Sequence, residues 1–422
     1  MSRFADAGNG LVHWLTGPQG RRWLLRALLA YAAIGFVVWI RREGDFAGYV
    51  LVGDLVLQGR HIYFDSQGAN TWPPFFSLVC VPLALLAAAT PYVARGFWLL
   101  LNFGLLLLVL RMIAELVYGR AFSLFAETTG LSLAAPEMLV PLLLTDRYVS
   151  GNFDHLQVNI VLFALALGGL HLQRRGKVFA GSFALGAAVA MKVMPVVFIP
   201  YLAYRRRWRP AAYTTVAAAG CSLSPIVVFG WARFWEYVSA WRAVVAAGWG
   251  VGKMNQSLYA MWDRWIGRGM GLATAGENWV PASGDPLVTV AVIASIATIT
   301  GLALWLFRGN PERDRWVTVT EWSVVFIASA LFGPVSWKAY LVVLLLPNAV
   351  LFAAWRSPQF DPSTRRWSGL ALATFFVLGW LPSPGLVGKA LAGRLEMASV
   401  VTLATLVILG QLLRLRARLG RT

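Results

Sequence analysis

Asp45, Lys192 and Lys338 lie in or beside apolar stretches of this 422-residue chain. An ionised side chain there is costly unless it is partnered or has a task. Asp45 stands in Gly44-Asp45-Phe46-Ala47-Gly48-Tyr49. A carboxylate so placed can act as general base on a sugar hydroxyl, or hold a cation. The plainer reading is a solvated loop acid beside Arg41 and Arg42. For the two lysines an anionic lipid phosphate or an acidic side chain would serve as partner. Only 19 acidic residues stand against 37 Lys and Arg, which leans toward a ligand.

Amides cluster in the same way. The run Gly151-Asn152-Phe153-Asp154-His155-Leu156-Gln157-Val158-Asn159 leads into an apolar segment. Gln157 and Asn159 would enter the membrane, either to hydrogen-bond between helices or to meet a polar ligand. Asn255-Gln256-Ser257-Leu258 lies in a long polar loop, and Ser336-Trp337-Lys338-Ala339-Tyr340 lies between two apolar runs. Trp72-Pro73-Pro74 reads as a helix start, because proline at the first helical position loses no needed donor. Gly59 and Tyr63 precede it and are not explained by that signal. Trp231, Trp235, Trp241, Trp249, Trp262 and Trp265 read first as an interfacial belt, and second as platforms for sugar or lipid. Cys80 and Cys221 are far apart and apolar in setting, so neither a disulfide framework nor a metal site is expected. No Asp-x-Asp stands in a loop, and no metal is called for.

These residues must be positioned by helices in lipid. The chain is 58% hydrophobic and 13% charged, against about 25% charged in soluble domains. Stretches 24–40, 97–110, 287–307 and 398–413 are long and nearly uncharged. Lipid offers the backbone no hydrogen bonds, so a helix of roughly 20 residues satisfies it internally. The expected fold class is an all-α polytopic membrane protein with about eleven to thirteen transmembrane or re-entrant segments. The expected organisation is a leader at 1–22, one membrane domain at 23–413, and a basic tail at 414–422. Within the domain, 41–73 and 231–285 form two large non-cytoplasmic loops.

The net charge of +18 does not point to nucleic acid. Basic residues come in short clusters between apolar runs, at 21–22, 174–175, 205–207, 365–366 and 414–421. That pattern marks cytoplasmic loops. The first apolar stretch reads as a retained signal anchor with the N-terminus cytoplasmic. The piece 178–204 has basic clusters at both ends and a break at Lys192-Val193-Met194-Pro195. A hairpin with Lys192 at its apex keeps both clusters on one side. The stretch 111–130, with Arg111, Glu115, Arg120 and Glu127, reads equally as a crossing or an interfacial segment.

Taken in order, the acid after the first span, Gly59 and Tyr63, Trp72-Pro73-Pro74, Asp154 to Asn159, Lys192 with Pro195, Asn255-Gln256-Ser257-Leu258, and Ser336-Trp337 ahead of Pro347 resemble glycosyltransferase family 87. Those are polyprenol-phosphate-sugar-dependent membrane transferases and include mycobacterial mannosyltransferases. The resemblance covers about 41–347. It implies a GT-C helical bundle in a bacterial plasma membrane. It implies inverting transfer of mannose or a related hexose from a polyprenyl-phosphate donor to a lipid or glycan acceptor, on the non-cytoplasmic face. No cofactor is expected beyond that donor. The family's catalytic acid carries over to Asp45, whose setting with Tyr49, Gly59 and Tyr63 fits better than Asp54. The expected substrate contacts are Tyr49, Asp54, Tyr63, Asp154, Gln157, Asn159, Lys192, Asn255, Gln256, Trp337, Lys338 and Tyr340, with Lys192 or Lys338, plus Gln157 and Asn159, stabilising the phosphate as charge develops. Family members often have Asp-His or His-His after Ser-Trp, where this chain has Lys338-Ala339-Tyr340. Lys338 would take over that charge. The competing class is a transporter or lipid flippase, for which broken helices and buried charge also suit; no inverted repeat supports it. A non-catalytic scaffold would leave Asp45 among headgroups, away from Gln157 and Lys192.

Overall fold

A computed structural model describes residues 17–125, 130–247, 250–267, 280–309 and 314–420. They form an all-α membrane protein. The helices are α1 (Pro18–Trp39), α2 (Gly44–Leu57), α3 (Pro74–Ala89), α4 (Pro91–Ile113), α5 (Pro136–Asp154), α6 (Asn159–Arg174), α7 (Val178–Met191), α8 (Phe198–Tyr204), α9 (Trp208–Leu223) and α10 (Pro225–Phe229). They continue with α11 (Trp231–Ala247), α12 (Leu258–Trp262), α13 (Pro286–Leu306), α14 (Arg315–Leu331), α15 (Leu345–Arg356), α16 (Pro362–Phe375), α17 (Pro384–Val387), α18 (Lys389–Met397) and α19 (Val400–Leu419). Two short strands, β1 (Phe122–Ser123) and β2 (Leu131–Ser132), pair in parallel.

Local chemistry sets many of the helix starts. Proline opens α3, α4, α5, α13 and α16, where its missing N–H is no loss. The side chains of Ser257, Asp285, Asp314 and Asp361 accept first-turn N–H groups of α12, α13, α14 and α16.

Among the described residues six helices are long and apolar enough to cross a membrane, and the pair Pro362–Trp380 and Pro384–Met397, bent by 79°, makes a seventh if it is one span. The wider expectation of eleven to thirteen segments is reached only by counting shorter helices such as Val178–Met191 and Met194–Tyr204. These are too short to cross alone and pack against neighbours instead. The segment Lys338–Arg356 is mostly buried and forms the core, whereas α1 and α13 expose Ile34, Val37, Val290 and Ile293. Such apolar surface belongs against lipid.

Two ends of the bundle differ in charge. α6 runs from Asn159 to Arg174, roughly 22 Å at 1.5 Å per residue. Past its far end, Arg175 Nη2 lies 3.3 Å from Glu115, and His171 Nε2 lies 3.2 Å from the same carboxylate. Arg205 and Arg416 both reach the buried Glu321 at that end, at 3.2 and 2.7 Å. α7 returns from there, since Lys192 just after it contacts Asn159 at the start of α6. The chain then turns back through Met194–Val197 and α8 to Arg205. Ser182 Oγ lies 3.4 Å from the Pro210 carbonyl, so the start of α9 sits beside the early part of α7. Lys192 is therefore the apex of a hairpin whose two basic clusters share one end. Close approach of α6 and α7 needs Gly169 and Gly181, because a Cβ on either would strike the other's carbonyl.

The stretch after α4 stays at the basic end. Tyr118 donates to the Glu137 carbonyl at 3.0 Å, tying the end of α4's π turn (Ala114–Tyr118) to the start of α5. Glu127 lies outside the described residues. The loop 41–73 contains α2, the loop 231–285 contains α11 and α12, and α19 continues through the basic residues to Leu419.

Candidate active site

At the end opposite the basic clusters, helix ends line a half-open cavity of about 590 Å³ into which several charged and polar side chains converge. Asp45, Trp72, Arg147, His155, Gln157, Trp337 and Lys338 are among its lining residues. Asp45 is the one carboxylate among the described residues lining it.

Asp45 is placed by backbone. The N–H of Asp45 donates to the His155 carbonyl at 2.8 Å, joining the start of α2 to the α5–α6 turn. Gly44 has φ +49, and a Cβ there would collide with that same carbonyl. The turn itself is unusual, since Leu156 adopts φ 47, a left-handed conformation that a branched side chain rarely takes. Its carbonyl is held by Trp98 Nε1 at 3.0 Å. The turn brings Gln157 and Asn159 to the cavity side.

From Lys192 a chain of polar contacts runs to the carboxylate. Lys192 Nζ donates to Asn159 Oδ1 at 3.1 Å. Asn159 Nδ2 donates to Gln157 Oε1 at 2.8 Å and to Asn152 Oδ1 at 3.1 Å. Asn152 in turn donates to the Ala339 carbonyl at 2.9 Å. Gln157, its oxygen so occupied, lines the cavity with Asp45. Tyr340 lies under the lysine, its ring centroid 3.7 Å from Nζ. Burial raises the Asp45 pKa above the usual carboxylate value; Lys192, His155 and the Gln157 hydrogen bond oppose that rise, in that order.

Lys338 has a different partner. Its Nζ donates to Glu396 Oε1 at 2.7 Å, and Arg147 pairs with the same oxygen. The partner is thus an acidic side chain, although acids are scarce in the chain. Glu396 is distant in sequence and sits on α18, so no local motif announced it. Arg147 was likewise missed; its only signal was an arginine within an apolar stretch.

An apolar groove of about 400 Å³ meets the cavity at Thr71, Trp72 and Trp337. Lys192, Val196, Trp241, Phe332 and Tyr340 line it. A further apolar pocket of about 320 Å³ shares Val197, Ala328 and Phe332 with that groove and reaches Tyr204 and Phe307.

Other residues marked by the sequence stand off the cavity. Tyr49 is buried among Phe46, Trp72, Phe76 and Trp98, beneath the cavity wall. Tyr63 donates to the Trp72 carbonyl at 2.8 Å and so braces the wall. Asp54 is exposed on α2 and accepts from Gln58. Asp154 pairs with Arg42 at 3.0 Å. Asn255 and Gln256 are fully buried clasps. Asn255 accepts the Ser336 N–H at 2.9 Å, and Gln256 donates to the Glu396 carbonyl at 3.1 Å, so the long loop fixes Trp337 and α18. Trp231 and Trp235 are exposed and Trp241 donates to the Thr71 carbonyl, while Trp262 and Trp265 bond Ser295 and the Ala398 carbonyl. Trp249 lies outside the described residues. Among the described residues no group of three or more His, Cys, Asp or Glu could hold a metal.

A polytopic helical membrane protein with a carboxylate and several other polar side chains in a cavity that meets an apolar groove has the layout of an enzyme that handles a polar group on a lipid. The sequence model of glycosyltransferase family 87 matches residues 70–334. The chain belongs to that family and is a membrane glycosyltransferase. It is 26% identical over 438 residues to a polyprenol-phosphate-mannose-dependent alpha-(1-2)-phosphatidylinositol mannoside mannosyltransferase of Mycolicibacterium smegmatis, covering 94% of this chain and 91% of that relative. It is 26% identical over 392 residues to the protein of the same description from Mycobacterium tuberculosis, covering 86% and 84%. No solved structure matches it.

Proposed function

We propose that this enzyme moves mannose or a related hexose from a polyprenyl phosphate to a lipid or glycan acceptor, with inversion, using Asp45 as general base. The relatives' descriptions supply the donor and the acceptor class. The observation that carries the reading is Asp45, the one carboxylate among the described residues lining the cavity, beside an apolar groove suited to a polyprenyl chain. Inversion needs one base, whereas a double displacement needs a second nucleophile. The acceptor hydroxyl attacks the anomeric carbon and gives its proton to Asp45. The bond from that carbon to the phosphate oxygen breaks, and its electron pair leaves with the phosphate. Trp72 and Trp337, at the junction of cavity and groove, flank the sugar. The reaction in this reading uses no metal, and the bundle is of GT-C type.

The cavity faces the non-cytoplasmic side of a bacterial plasma membrane in this reading, with the N-terminus cytoplasmic. Support comes from the basic clusters at the opposite end, because cytoplasmic loops retain Lys and Arg. The test is transfer by purified protein given a panel of polyprenyl-phosphate sugars, with product read by mass spectrometry. Asp45→Asn is expected to abolish transfer while the protein still inserts and folds. Transfer persisting at the wild-type rate in that variant would exclude Asp45 as the base.

A further inference from the structure

The apolar pocket of about 320 Å³ takes no part in the reaction, and its place in the fold says what fills it. Tyr201 and Tyr204 of α8, Ala303 of α13 with Phe307 just beyond it, and Val324 and Ala328 of α14 are among its lining residues. Tyr204 and Leu304 on its wall are exposed, so it opens sideways. The surface beside that opening is the flank of α13, where Ile293, Leu302 and Trp305 are bare and face lipid.

The pocket lies at the basic end of the bundle. Tyr204 Oη donates to the Leu304 carbonyl and Arg205 Nη1 to the Phe307 carbonyl, each at 2.5 Å. These bonds draw the end of α8 onto the end of α13. Arg206 and Arg308, the next residue on each side, are both exposed and form one cationic rim beside the pocket. At this end of the three helices the described acids are Glu321 and Asp314. Glu321 is taken up by Arg205, Arg416 and Tyr201, and Asp314 caps α14. Trp208 and Trp305, exposed a few residues from the two arginines, mark the membrane interface at the same level.

We propose that this pocket holds an acyl chain of an anionic phospholipid from the leaflet at the basic end, with the headgroup phosphate on the rim of Arg206 and Arg308. An apolar slot beneath a cationic rim at the interface is complementary to that lipid in both parts. A polyprenyl tail reaching down from the donor groove past Val197 and Phe332 would use the slot and leave the rim idle. A zwitterionic lipid would bring no net charge to the rim. The bound lipid bridges the returning arm of the hairpin to α13 and α14. The site is separate from sugar transfer and does not rest on the transferase reading.

The test is native mass spectrometry of the full-length protein in detergent, titrated with phosphatidylglycerol or with phosphatidylcholine of identical chains. Phosphatidylglycerol is expected to bind at least about tenfold more tightly, since each arginine near a headgroup adds to the attraction. Arg206→Gln combined with Arg308→Gln is expected to erase that preference, whereas Arg365→Gln with Arg366→Gln, in another basic cluster, is expected to keep it. Ala303→Phe fills the pocket and is expected to remove most of the tight binding, with binding of polyprenyl phosphate unchanged as the control for folding. Equal binding of the two phospholipids would overturn the proposal, as would a preference that survives loss of Arg206 and Arg308. Equal loss from the Arg365 and Arg366 pair would overturn it by reducing the preference to general surface charge. An Ala303→Phe protein that loses polyprenyl phosphate and keeps phosphatidylglycerol would overturn it too, by giving the pocket to the donor's tail. If Ala303→Phe weakens both, the two arginine pairs, which lie on the surface and leave the packing intact, decide.

Discussion

Burial lifts the Asp45 pKa, and Lys192 is the foremost group resisting that rise. A general base works only when deprotonated. Activity is therefore expected to fall as pH drops through a pKa higher than that of an ordinary carboxylate. Lys192→Met removes the strongest opposing charge, so the acid limb of kcat/KM should move to higher pH. An unmoved limb would mean that Lys192 does not act on the base. Residue types near the site were readable from the sequence: Asp45, Gln157, Lys192, Trp337 and Lys338 all come to the cavity wall or its groove. Their roles were not readable, because roles depend on partners. Lys338 meets Glu396, 58 positions away, and Arg147 meets it from 249 positions away.

Turns rather than helices decide the position of the base. The α1–α2 turn carries Gly44 at φ +49, and the α5–α6 turn carries Leu156 at φ 47. They are joined by the hydrogen bond from Asp45 N to His155 O. Gly44→Ala adds a Cβ that meets the His155 carbonyl and strains φ. It should lower kcat by about tenfold or more, since a small misplacement of a catalytic group is costly. Thermal stability should fall as well, because the clash is with backbone and alanine is strained at positive φ. Wild-type kcat in that variant would show that the turn is not what aims Asp45. The hairpin at Lys192 was legible from charge flanking a broken apolar run. The sharp α5–α6 turn was not, because neither Leu156 nor its neighbours are turn-forming residues.

The whole bundle is tied at the basic end by a buried network. Glu321 accepts from Arg416 Nε at 2.7 Å and from Tyr201 at 3.0 Å, and pairs with Arg205 at 3.2 Å. It links α14, α19 and the returning arm of the hairpin. Removing one partner of a buried pair leaves an uncompensated charge, at about 3–5 kcal/mol. Glu321→Ala should therefore lower Tm markedly in detergent, with a smaller loss for Glu321→Gln, which keeps hydrogen-bonding capacity. An unchanged Tm would show that the network is not what holds the C-terminal helix. By itself the sequence determined membrane embedding, helical class and the grouping of basic clusters, because hydropathy and charge act along the chain. The tertiary structure alone decided which cation meets which anion, which residues line the cavity and which brace it. Those choices depend on contacts between residues that only folding brings together, and acids so few can be matched to their partners only in space.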